Sequence, residues 1–150
     1  MGLDHVSVTV QDLDRSLAFY GGLLEIPVLG SGEEDGIPMP GGDGTSRTRF
    51  RYADLDLGGG QILELIQYLR PLGTPLVQRV FDPGSGHLAL RVTGMEGVLA
   101  RLSRAGFPAR FEPITISEPA WWKGARIVYV TDPDGVTVEL VERPGPSPSA

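Results

Sequence analysis

Histidine occurs twice in this chain, at His5 and His87, and each begins the same pattern. H-V-S-V-T-V from His5 and H-L-A-L-R-V from His87 alternate apolar side chains with other types, the period of a strand with one buried face. A short turn and a stretch of helical period follow each. At an offset of 82 positions, residues 5–24 lie over residues 87–106 as strand on strand and helix on helix. Half of a 150-residue chain is too small to bury a sheet face well alone, so the two copies are expected to pack together as one domain.

In the first helix Leu13, Leu17 and Tyr20 fall at helical spacing, with Leu24 near its end and Asp12 as N-cap; in the second, Met95, Val98, Leu99 and Leu102 do so, and Gly106 suits the C-terminal end. Two strand-type runs come later in each half. Residues 47–57 pass through Gly58-Gly59-Gly60 into Gln61–Tyr68, and residues 126–131 pass through the hairpin signal D-P-D-G into Val136–Val141. Each half therefore reads β-α-β-β-β: a first module over 1–70, a linker over 71–85 rich in Pro and Gly, a second module over 86–143, and a frayed Pro/Ser tail over 144–150. The segment from Gly30 to Ser46, with Glu33, Glu34, Asp35 and Asp43, reads as a mobile acidic loop. A short helix is expected around Leu76–Phe81.

Thirteen basic residues against nineteen acidic ones, with no run of Lys or Arg, argue against nucleic-acid binding. No apolar stretch approaches the roughly 18 residues of a membrane span, and no secretory leader pattern opens the chain, so it reads as cytoplasmic. The absence of cysteine removes disulfides, thiolate metal sites and a cysteine nucleophile.

The two halves also match in their acids. Glu64 in I-L-E-L-I and Glu139 in V-T-V-E-L-V stand 75 positions apart, each inside a late apolar strand. A carboxylate among Leu and Val is costly to bury without a partner. A divalent cation is such a partner, and imidazole plus carboxylate is a usual ligand set. Alternation puts His5 with Ser7 and Thr9, His87 with Ala89 and Arg91, Glu139 with Thr137 and Val141, and Glu64 with Ile62, Ile66 and Tyr68. Taken singly, a histidine at a strand start is more often a surface or capping residue, and a strand Glu is more often solvated. It is the repetition of both that makes His5, Glu64, His87 and Glu139 candidate metal ligands.

Together L-D-H-V-S-V-T-V-Q-D-L-D-R-S-L-A-F-Y, I-L-E-L-I, G-H-L-A-L-R-V and D-P-D-G-V-T-V-E-L-V-E resemble the vicinal oxygen chelate superfamily. That superfamily holds glyoxalase I, methylmalonyl-CoA epimerase, extradiol dioxygenases and the fosfomycin and bleomycin resistance proteins. The resemblance implies an α+β fold of two paired βαβββ modules forming a cup-shaped mixed sheet around a metal site, in a homodimer. It implies one divalent metal (Ni, Co, Zn, Mn or Fe) on His5, Glu64, His87 and Glu139. It also implies a lyase or isomerase that stabilises an enolate of a small carbonyl or thioester substrate, with Glu139 or Glu64 carrying the proton. Two other readings stand beside it: an Fe(II) ring-cleaving dioxygenase, and a metal-free small-molecule binding protein. The Arg and Asn that anchor glutathione in bacterial glyoxalase I fall here on Thr9 and Tyr68, which counts against glutathione. Trp121 and Trp122 read either as core or dimer contacts or as an aromatic lid, and Arg70 as a solvated charge or an anion anchor.

Overall fold

The computed structural model describes residues 2–39, 42, 44–77 and 79–145. The chain divides into two compact units between Leu76 and Val77, inside the segment read as a linker. The first unit runs β1 (His5–Thr9), α1 (Leu13–Leu17), a wide helical turn over Ala18–Leu23, β2 (Val28–Pro38), β3 (Arg47–Gly58) and β4 (Gln61–Arg70). The second runs β5 (Leu88–Arg91), α2 (Met95–Arg104), β6 (Ile114–Thr115), β7 (Arg126–Thr131) and β8 (Thr137–Glu142).

Each unit forms one four-stranded mixed sheet, in the orders β1-β4-β3-β2 and β5-β8-β7-β6. The first and last strands of a unit pair in parallel, and the remaining pairs are antiparallel. A parallel pair needs a long crossover, which in each unit carries the helix. The expected α+β class and βαβββ modules are therefore observed. Alternation is clean where it matters. Ala53, Leu55, Leu63 and Leu65 are buried with Leu13, Phe19 and Tyr20 in the first unit. Val128, Val130, Val138 and Leu140 are buried with Met95, Val98 and Leu102 in the second. Each buried Leu or Val contributes about 1.5–3 kcal/mol of transfer free energy.

The same clasp ties helix to sheet in both units. Gln67 Oε1 accepts from the Leu13 amide at 3.3 Å, and Arg51 reaches both Gln67 and Asp14. Glu142 Oε1 accepts from the Met95 amide at 2.9 Å, and Arg126 reaches both Glu142 and Glu96. In each case an oxygen from the last strand satisfies an amide that the first helical turn leaves open. Asp12 also caps α1, accepting from the Arg15 amide at 3.0 Å, as its sequence position predicts. Gly106 follows the end of α2 with φ +89°, also as predicted.

Three expectations need correction. First, the Gly30–Ser46 segment is not a free loop: Val28–Pro38 is an eleven-residue edge strand paired along β3. Its glycines and acids look loop-like one by one, but pairing outweighs local composition. Glu33 accepts from Arg49 at 2.6 Å, Asp35 from Arg70 at 2.9 Å, and the bare Cα of Gly32 leaves room for the Tyr52 ring, which a Cβ would meet at 2.9 Å. Asp43 lies outside the described residues. Second, no helix occupies the described residues of Leu76–Phe81, where Leu76, Val77 and Phe81 are exposed and so offer a helix no buried face. Third, β5 begins at Leu88, so His87 precedes its strand where His5 opens its own. In addition, α1 loosens after Leu17 into the wide turn, which closes with the Leu24 amide on the Phe19 carbonyl at 2.9 Å. Most of the tail, residues 146–150, lies outside the described residues.

Candidate metal centre

Register places the ligand candidates within each unit. In the first, Ser7, Glu64 and Asp54 stand side by side across β1, β4 and β3, with His5 one pleat away on the same face. His5 Nδ1 lies 2.8 Å from Asp4 Oδ1. That hydrogen bond, opposed by some desolvation and reinforced by the charges of Glu64, Asp4 and Asp54, raises the imidazole above its ordinary value. A carboxylate on one ring nitrogen orients a histidine and leaves the other nitrogen for a metal.

In the second unit, His87 Nε2 and Glu139 Oε2 are 3.0 Å apart. Glu139 is only 7% exposed, and His87 is its hydrogen-bond partner among the described residues. Tyr129 pairs with Glu139 across β7 and β8, its ring 5.7 Å from that of His87 and 5.5 Å from that of Phe111. Burial first, and the Glu139 charge second, push the Tyr129 phenol above its usual value.

On the sheet face opposite its helix the first unit thus presents one imidazole and two carboxylates, Glu64 and Asp54, and the second one imidazole and one carboxylate. Within neither unit do three His, Asp or Glu side chains group as a metal site among the described residues. The donors suit a divalent cation: neutral imidazole and carboxylate oxygen are ordinary ligands for zinc, nickel, cobalt, iron and manganese. Glu139 in addition is a buried acid whose one hydrogen-bond partner among the described residues is His87.

The other sequence candidates are placed as follows. Thr9 ends β1, exposed on the His5 face. Tyr68 lies on the Glu64 face, its ring 5.8 Å from Phe50, with Tyr52 6.3 Å beyond. Arg70 is held by Asp35. Trp121 is 73% exposed and packs edge-on against Trp122 at 5.5 Å; Arg143 covers Trp122 at 4.0 Å and donates to the Trp121 carbonyl. Asp54 and Tyr129 were missed by sequence reasoning. They stand opposite Glu64 and Glu139 and are themselves 75 positions apart, so the offset that matched the acids would have found them.

The sequence profile of the Glyoxalase/Bleomycin resistance protein/Dioxygenase superfamily matches residues 2–140. A 2-epi-5-epi-valiolone epimerase of Actinomyces sp. is 28% identical, over 99% of this chain and 82% of its own length. A lactoylglutathione lyase of Arabidopsis thaliana is also 28% identical, over 96% of this chain but only 44% of its own length, so the chain spans under half of that relative. Among solved structures, a glyoxalase family protein from Bacillus cereus superposes with a TM-score of 0.77 at 20% identity, covering 95% of this chain and 94% of that one.

Proposed function

This chain belongs to the glyoxalase/bleomycin resistance protein/dioxygenase superfamily, and from that premise we propose that it is a metal-dependent isomerase or lyase acting on a small carbonyl compound. The reaction we propose is movement of a proton at a carbon next to a carbonyl. The observation that carries the reading is the buried Glu139 with His87 at 3.0 Å, matched in the other unit by Glu64 and His5 on one sheet face. His5, Glu64, His87 and Glu139 are proposed as ligands of one divalent ion. That ion would supply Lewis-acid stabilisation of negative charge developing on adjacent substrate oxygens. Glu139 is the preferred proton carrier, with Glu64 the other candidate. A carboxylate fixed by a single partner can exchange that partner for a proton. The epimerase among the relatives supports an isomerase over a lyase, since the chain covers most of its length. With Thr9 and Tyr68 at the glutathione-anchoring places, a glutathione adduct is not the proposed substrate.

The test is solvent exchange. In deuterium oxide, metal-loaded protein and a panel of cyclic and acyclic 2-hydroxyketones are followed by proton NMR. The proposal predicts loss of a signal next to a carbonyl in at least one compound, abolished by Glu139→Gln. If no compound exchanges, or the variant exchanges as fast as the parent, proton transfer by this residue is refuted.

A further inference from the structure

Arg91 ends β5 and is exposed. It pairs with Val141 of β8, and Ala89 pairs with Glu139, so Arg91 lies two residues beyond Glu139's own row. In a parallel pair those residues face the same side, which puts Arg91 on the Glu139 face, about 7 Å further along the sheet and one strand away. Most other arginines in the two sheets are engaged. Arg49 is held by Glu33, Arg51 by Asp14, Arg70 by Asp35, and Arg126 by Glu96 and Glu142; Arg110, outside the strands, gives its Nε to Thr131. No hydrogen bond or ion pair joins the Arg91 side chain to another described residue, and a guanidinium carries five donors.

The first unit has nothing comparable. Its corresponding position, 82 residues earlier, is Thr9, and its Glu64 face carries Asp54 rather than a cation. Of the two units, the second is therefore the one with a cation on the face of its repeated acid. Building on the metal-site reading above, we infer that Arg91 is a specificity residue that holds an anionic group of the substrate, a carboxylate or phosphate. The group would lie a few bonds from the oxygens next to the reacting carbon. The guanidinium fork suits either anion, each able to accept two parallel hydrogen bonds.

The test uses cobalt-loaded protein titrated with two chelators that present adjacent oxygens: acetohydroxamate, which is uncharged, and succinate monohydroxamate, which adds a carboxylate. Binding is read from the visible cobalt absorption and by calorimetry. The wild type is expected to bind the acid about tenfold or more tightly than the neutral probe, the scale of a hydrogen-bonded ion pair. Arg91→Gln is expected to erase that preference with acetohydroxamate affinity and metal content unchanged, and Arg91→Lys to keep part of it. A phosphonate analogue preferred over the carboxylate would assign the anion as phosphate. Equal affinity for acid and neutral probes in the wild type overturns the inference and leaves Arg91 as a solubilising charge on an edge strand. If cobalt is not taken up, the metal reading is overturned and the inference with it; if cobalt is held but neither probe binds, the inference is overturned while the metal reading stands.

Discussion

The two units share their scaffold and differ on the sheet face opposite the helix. Arg51, Gln67, Leu13 and Asp14 of the first correspond to Arg126, Glu142, Met95 and Glu96 of the second and make the same clasp. Opposite the repeated Glu the first unit has Asp54 and the second Tyr129; four residues past the repeated His the first has Thr9 and the second Arg91. The histidines differ too, His5 bonding to Asp4 and His87 to Glu139. What holds the helix on the sheet constrains residue type, whereas the open face is free to diverge. The differences are therefore a better guide to chemistry than the similarities.

The largest effects should fall on the shared part. Leu65 and Leu140 are equivalent and fully buried, so Leu65→Ala and Leu140→Ala should each cost about 2–5 kcal/mol in chemical denaturation. A loss below about 1 kcal/mol at either site would break the equivalence of the two cores. The clasps should matter less and unequally. Glu142→Ala removes a charged acceptor from the start of α2 and should cost about 1–3 kcal/mol, while Gln67→Ala removes a neutral one and should cost about 1 kcal/mol. Equal losses, or a larger one at Gln67, would show that the charge contributes nothing.

The smallest effect is the pH response of Tyr129. Its phenol is raised above the ordinary value of 10, by burial and then by Glu139. The unfolded chain thus loses this proton first. Stability from this group is complete below about pH 10 and falls as pH rises toward the folded value. Difference absorbance between wild type and Tyr129→Phe, on chelator-treated protein, should show the raised titration, and Glu139→Gln should reduce the shift without abolishing it. A Tyr129 titration at or below pH 10 would contradict the burial of its phenol on this face.

Much of this was readable from the chain. Period-two runs gave β3, β4, β7 and β8 within a few residues, and the matched His and Glu gave the ligand candidates. What escaped detection depends on partners distant in sequence. The edge strand β2 is polar and glycine-rich, and it is held by Arg49, Arg70 and the Tyr52 ring over Gly32 rather than by its own propensity. Asp54 and Tyr129 become neighbours of the acids only through hairpin register. That register is set in one unit by Gly58, Gly59 and Gly60, all at positive φ. In the other, Asp132 sets it by accepting from the Asp134 and Val136 amides. Arg91 was visible as a face neighbour of His87, but that its side chain has no partner among the described residues appears only in the structure.

The central proposal is that His5, Glu64, His87 and Glu139 together hold one ion. It is tested most directly by the metal content of untagged protein purified without chelators, wild type against His5→Ala and Glu139→Gln. The account predicts about one transition metal per chain in the wild type, and an affinity lowered by about 100-fold or more in both variants. An ion retained by His5→Ala but lost in Glu139→Gln would confine the site to the second unit. No ion in the wild type, and none taken up on titration, would contradict the claim outright.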